Sequence, residues 1–294
     1  MHSYATLAWW KDRRVRKSLP ALLIVGALSV LAVPAASEVV SFPSASVPPT
    51  PLRQRLARER GEIAQAEPGI EITGELLRPA GNGPFPALVM LHGCGGPSPK
   101  TDPIKAERYV SWGYAALRFD SFAPRGIKNM CNGAVADRAQ DALGALDYLA
   151  HLSFIDPRRI AVVGFSQGGG AALAAINLND AAILSASRFR AAVLYYPSVC
   201  PSEHHNLLAP VLVLIGERDD WTPARTCRAE LATREGKPGS VSLIAYPGAF
   251  HSFDAIGLKD RAKSYFGYHL EYSESADLAA QLAMHSFLAE ALTP

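Results

Sequence analysis

Ile160-Ala161-Val162-Val163-Gly164-Phe165-Ser166-Gln167-Gly168-Gly169-Gly170-Ala171-Ala172 decides how this 294-residue chain folds. Its first half is a short apolar run rich in valine and isoleucine, the signature of a strand buried on both faces. Residues 169–176 read as helix, so Gly164-x-Ser166-x-Gly168 is a sharp strand-to-helix turn with a serine at its apex. Such a turn strains the serine backbone, and side chains on either side of it would collide with the neighbouring strand and helix, so glycine stands there. The tripartite context gives the pattern its weight, because G-x-S-x-G alone recurs by chance.

A serine hydroxyl attacks only when a base takes its proton, and the base must be oriented by an acceptor. On a sheet of this kind the partners follow in the order Ser, Asp, His, each in a loop after a later strand. Asp219 lies in Gly216-Glu217-Arg218-Asp219-Asp220, directly after the apolar run 211–215. Asp220 competes for the acid role, while Glu217 stands too close to the strand end. His251 lies in Pro247-Gly248-Ala249-Phe250-His251, directly after the run 241–246. Among the other histidines, His204 and His205 sit in a polar loop, His151 and His285 in helical patterns, and His2 near the N-terminus. An oxyanion hole is the third requirement, two N–H groups aimed where negative charge develops. One is expected from Gln167, just after the serine. The other is expected from Cys94 in His92-Gly93-Cys94-Gly95-Gly96, the loop after the run 87–91. A plain glycine turn is the bland reading of that loop.

The stretches 70–77, 87–91, 114–119, 160–165, 191–196, 211–215 and 241–246 read as strands. Helical periodicity marks 137–151, where Ala142, Ala145, Leu146 and Leu149 share a face, and also 224–234 and 275–292. This alternation predicts an α/β domain over 69–294, a mostly parallel central sheet with helices on both faces. Active sites of such sheets gather at the carboxyl ends of the strands, where the named residues fall. Residues 38–68 read as a linker or extension, Ser- and Pro-rich over 38–51, with a short helix over 53–66.

The N-terminus joins a basic stretch from Lys11 to Lys17, an apolar run over 21–33 and the small residues Pro34-Ala35-Ala36-Ser37. That layout predicts a signal peptide over 1–37 and export to the periplasm or outside. The alternative is an uncleaved inner-membrane anchor, the apolar run being short of the roughly 20 residues a span needs. Five cations against Asp12 give this segment +4 of a total formal charge of +2, leaving the rest at −2. A near-neutral body argues against nucleic acid as a partner and for a small molecule. Membrane contact is expected only through residues 1–37. In an oxidising compartment the four cysteines Cys94, Cys131, Cys200 and Cys227 can form disulfides, and Cys200 with Cys227 is the candidate pair. No CxxC or His-rich cluster suggests a metal.

The chain resembles the dienelactone hydrolase family over roughly 69–292. The resemblance is carried by His92-Gly93-Cys94-Gly95-Gly96, Asp120-Ser121-Phe122-Ala123-Pro124-Arg125-Gly126, Gly164-Phe165-Ser166-Gln167-Gly168-Gly169, the segment 216–223, and His251-Ser252-Phe253-Asp254. It implies an α/β-hydrolase fold without a large lid, no cofactor, and a triad of nucleophile, Asp and His. The family's namesakes use a cysteine nucleophile where this chain has Ser166, which points to an ester or lactone hydrolase of broader kind. Arg125 either holds a substrate carboxylate or bridges a structural one such as Asp120. Phe122, Trp221 and Phe250 are candidate pocket residues from their nearness to these loops. An acyltransferase on the same triad, or a binding protein on the same fold, are the alternative functions.

Overall fold

The computed structural model describes residues 36–132, 138–177, 187–237 and 239–293. The expected signal segment lies outside these residues, apart from Ala36 and Ser37. Among the described residues no helix is long and apolar enough to cross a membrane.

An eight-stranded sheet forms the centre. Its strands are β1 (Ala36–Pro43), β2 (Glu71–Arg78), β3 (Phe85–Leu91), β4 (Ala115–Phe119), β5 (Ile155–Phe165), β6 (Ala192–Tyr195), β7 (Val211–Gly216) and β8 (Val241–Tyr246), in the spatial order β1-β2-β4-β3-β5-β6-β7-β8. Neighbours from β4 to β8 are parallel, whereas β2 is antiparallel to both β1 and β4. β6 and β7 are buried at every residue. They are the continuous apolar runs expected of strands covered by helices on both faces.

The α-helices among the described residues are α1 (Pro51–Glu59), α2 (Asp102–Ser111), α3 (Ala139–Ala150), α4 (Gln167–Ala175), α5 (Ala224–Ala232) and α6 (Glu274–Ala291). α3 and α4 pack beside each other against the sheet centre, α2 against β2 and β4, and α6 against β7. A small hairpin, β9 (Lys263–Tyr265) and β10 (Tyr268–Leu270), turns at Phe266 and Gly267, both with positive φ, as a two-residue hairpin turn demands. It stands outside the main sheet, and neither it nor α2 is among the elements expected from the sequence.

The reading of 38–51 as an extended linker is corrected at its start: residues 36–43 pair with β2 over eight positions. The short helix expected over 53–66 is present, shifted to 51–59. Ser and Pro dominate the composition there and hide a period of two: Val40 and Phe42 are buried while Val39 is exposed. Phe42 packs edge-on to Phe119 and stacks on Tyr148, which anchors the edge strand.

The chain runs from β3 outward to β4 and then returns to the other side of β3 as β5. A crevice opens at the carboxyl ends of two strands whose connections leave in opposite directions. The loop beginning at His92 leaves β3 there, and the turn at Ser166 leaves β5.

Candidate active site

Ser166 has φ 54° and ψ −116°, a conformation that costs about 1–3 kcal/mol in a residue other than glycine. Its N–H donates to Tyr195 O at 2.9 Å, and its carbonyl accepts from Ser198 N at 3.0 Å and Gly169 N at 2.9 Å. A side chain at Gly164 would place its Cβ 2.1 Å from Gly168 O, and one at Gly168 would lie 2.2 Å from Leu91 O. Both glycines are therefore obligatory: β5 and α4 approach each other and β3 too closely for any Cβ.

His251 follows β8 and is buried, its Nε2 3.1 Å from Ser166 Oγ and its Nδ1 2.8 Å from Asp219 Oδ2. Asp219 is itself enclosed. Its Oδ1 accepts the N–H groups of Trp221 and Thr222 at 2.9 and 2.8 Å, and its Oδ2 accepts the Thr222 hydroxyl at 2.9 Å. Three donors besides the histidine hold the carboxylate and fix which oxygen faces the imidazole. Asp220, the competing acid, turns instead to the backbone N–H of His269 at 3.1 Å. The histidine loop is held from beneath as well: Asp254 pairs with the buried Lys105 at 2.6 Å and accepts the Tyr196 hydroxyl at 2.5 Å. Thr222 and Tyr196 were not singled out in the sequence. Thr222 could have been, since a hydroxyl residue three after an aspartate commonly closes a turn on it.

Cys94 and Gly93 line one cleft with Ser166 and His251. Gln167 opens α4, so no carbonyl of that helix is available to its N–H. The loop carrying Cys94 is tied down by the Cys94–Cys131 disulfide and by the Met130 N–H, which donates to Cys94 O at 2.8 Å. A second disulfide joins Cys200 to Cys227, the pair expected from the sequence. His92 starts the loop from a buried position, its Nδ1 2.7 Å from Gly93 O while its Nε2 accepts the Ser121 N–H at 3.2 Å. Burial, reinforced by the nearby Arg138, drives its pKa down to about 3. His92 is thus a neutral brace with a defined tautomer.

The cleft has a volume of about 430 Å³. Trp221, Leu258, Tyr265 and Leu270 supply apolar wall, and the β9–β10 hairpin forms one side of it. Trp221 stacks on Tyr268 with ring centroids 4.9 Å apart and lies 5.0 Å from the His251 ring.

Three of the candidate substrate or pocket residues are not in the cleft lining. Arg125 makes a bidentate pair with the fully buried Asp141, at 2.9 and 2.8 Å, and donates to Ser121 O. Its planar fork is used up on a structural carboxylate, though on Asp141 rather than Asp120. Phe122 is buried against the His92 ring at 4.6 Å and beneath the Arg138 guanidinium. It belongs to the core. Phe250 packs on His269 and Arg218, outside the cleft lining.

Residues 72–292 match the dienelactone hydrolase family. The chain belongs to that family. Among relatives, the quorum-quenching protein AidA of Acinetobacter baumannii is 34% identical over a match spanning 41% of this chain and 41% of that one. An uncharacterised protein of Mycobacterium tuberculosis is 27% identical over 73% of this chain and 79% of its own length. Solved structures agree on the α/β-hydrolase fold of the family. A dienelactone hydrolase-like promiscuous phosphotriesterase from metagenomic libraries superposes with a TM-score of 0.64 at 18% identity, covering 88% of this chain and all of that one. Esterase 2 of Thermogutta terrifontis, in its butyrate-bound form, gives 0.59 at 19% identity over 76% and 92%.

Proposed function

We propose that this member of the dienelactone hydrolase family is a serine hydrolase that cleaves a carboxylic ester or lactone through an acyl-enzyme. The observation that carries the reading is the line Asp219–His251–Ser166, two hydrogen-bond lengths end to end, on a serine held in a strained turn. His251 takes the Ser166 proton as Oγ attacks the carbonyl carbon, and Asp219 steadies the imidazolium that results. The Cys94 and Gln167 N–H groups receive the oxyanion, and His251 returns the proton to the departing alcohol. Water then attacks the acyl-enzyme by the same route and releases the acid.

The apolar wall of Trp221, Leu258, Tyr265 and Leu270 suits a hydrocarbon chain on one side of the scissile bond. A butyrate-bound esterase and a promiscuous phosphotriesterase of like fold support a small ester-type substrate. Engagement of all four cysteines in two bridges supports export to an oxidising compartment, with residues 1–37 as its signal.

The test is hydrolysis of p-nitrophenyl esters from acetate to octanoate and of a lactone series, beside Ser166→Ala. Turnover that disappears in the variant supports the reading. Equal rates in both proteins would remove Ser166 from the mechanism.

A further inference from the structure

Arg138, just ahead of α3, is among the largest fully buried side chains of the protein. Its partners are neutral. One terminal nitrogen donates to the carbonyl oxygen of His92 at 2.7 Å, another to Gln167 Oε1 at 3.3 Å, and the guanidinium lies 5.1 Å from the centre of the Phe122 ring. Among the described residues no carboxylate forms an ion pair with it, and its Nε has no hydrogen-bond partner. Burial pulls its pKa down to about 10, against the pull of Asp141, so the group remains charged at neutral pH.

For stability alone this is a poor use of a core position. Burying a cation costs several kcal/mol, and well-packed apolar residues of similar volume serve equally or better. What the arginine achieves is a connection. His92 O begins the segment that carries Cys94, and Gln167 directly follows Ser166, so the arginine joins the two segments that carry the proposed oxyanion donors. Gln167 Nε2 donates to Met130 O at 3.3 Å, and the Met130 N–H donates to Cys94 O at 2.8 Å. A closed circuit therefore runs from Arg138 to Gln167, Met130, Cys94 and back through His92, and the Cys94–Cys131 disulfide locks it.

We infer that Arg138 is a positioning residue for the oxyanion hole, holding its two N–H donors in register and leaving an unneutralised positive charge behind them. The inference rests on the serine-hydrolase reading above. Donors aimed before charge develops act only on the tetrahedral state, so their misplacement lowers turnover while leaving ground-state binding alone.

The test compares Arg138→Met, Arg138→Lys and Gln167→Met with the wild-type protein. Gln167→Met breaks the circuit yet keeps both the backbone N–H and the buried arginine, and serves if Arg138→Met does not fold. Three quantities are measured: kcat and KM for p-nitrophenyl butyrate, inhibition by an alkyl trifluoromethyl ketone, which Ser166 converts to a tetrahedral oxyanion, and inhibition by the corresponding amide. The expected result is a fall in kcat of about 10- to 100-fold in Arg138→Met at nearly constant KM, as for a reacting group misplaced by a fraction of an ångström. Ketone affinity weakens by the same factor as kcat/KM, amide affinity stays within about twofold, and Arg138→Lys recovers part of the loss. Equal weakening of ketone and amide, or unchanged kcat in folded variants, would overturn the role of Arg138. Undiminished hydrolysis by Ser166→Ala would instead overturn the reading beneath it.

Discussion

Replacing both Cys94 and Cys131 by alanine should damage stability and turnover together, whereas replacing Cys200 and Cys227 should damage stability alone. The two bridges span 37 and 27 residues. Cross-linking loops of those lengths removes about 13 and 12 cal/mol/K of unfolded-chain entropy, or about 4 and 3.5 kcal/mol at 25 °C. The two variants are therefore matched thermodynamically, and both losses are large against a usual stability of roughly 5–15 kcal/mol. They differ in what each bridge holds. Cys94 belongs to the loop that presents one candidate oxyanion donor, while Cys200 and Cys227 join the loop after β6 to α5. Urea unfolding gives the stability change, and kcat on a short ester, measured at 25 °C without urea where both variants are folded, gives the rest. The expected pattern is similar shifts in unfolding midpoint, a drop of about 10-fold or more in kcat for the Cys94/Cys131 variant, and a change within about twofold for the other. Equal kcat values for the two variants would refute the reasoning, because the loop at Cys94 would then hold its position without the bridge.

Arg125→Gln strands the buried carboxylate of Asp141 and should cost about 3–5 kcal/mol in denaturant unfolding while changing KM for neutral and anionic esters in parallel; a KM rise confined to anionic esters would return Arg125 to the substrate. Asp219→Asn should lower kcat by about 10⁴-fold, while Asp220→Asn, whose carboxylate accepts the His269 N–H, should leave it within a few-fold; comparable losses would leave the acid unassigned. His92 adds an acid sensitivity of known sign. Its pKa is lowered from 6.5 to about 3 by burial and by Arg138, so in that window the unfolded chain holds a proton that the folded protein does not. The stability from keeping it neutral is complete above pH 6.5 and falls as pH drops toward 3, at about 1.4 kcal/mol per pH unit. His92→Gln should flatten the slope of unfolding free energy between pH 6 and pH 4 by about that amount, and an unchanged slope would mean that His92 protonates in the folded state.

What could be read in the sequence was whatever depends on short-range order. The buried strands announce themselves as apolar runs, and the three loops that follow β5, β7 and β8 carry Ser166, Asp219 and His251 at short offsets that the fold itself imposes. β1 escaped because its message is two inward residues, Val40 and Phe42, in a background of Ser and Pro whose average describes a linker. The hairpin β9–β10 escaped because strands of three residues have too few positions to show a period. Charge pairing was the least legible feature of all. Arg125 and Asp141 are sixteen residues apart and meet only because α3 returns across the loop after β4, so the sequence left a substrate carboxylate and a structural one equally open for Arg125 and named Asp120 as the example of the latter. Arg138 was hidden for the opposite reason: inside a strongly helical pattern a lone arginine reads as a solvated face. A buried cation becomes informative only when its partners are known, and here they are a carbonyl and an amide on two segments that must keep a fixed separation. The same β3–β5 switch that creates the crevice also creates the need for such a brace, because the two candidate oxyanion donors arrive from strands whose connections diverge.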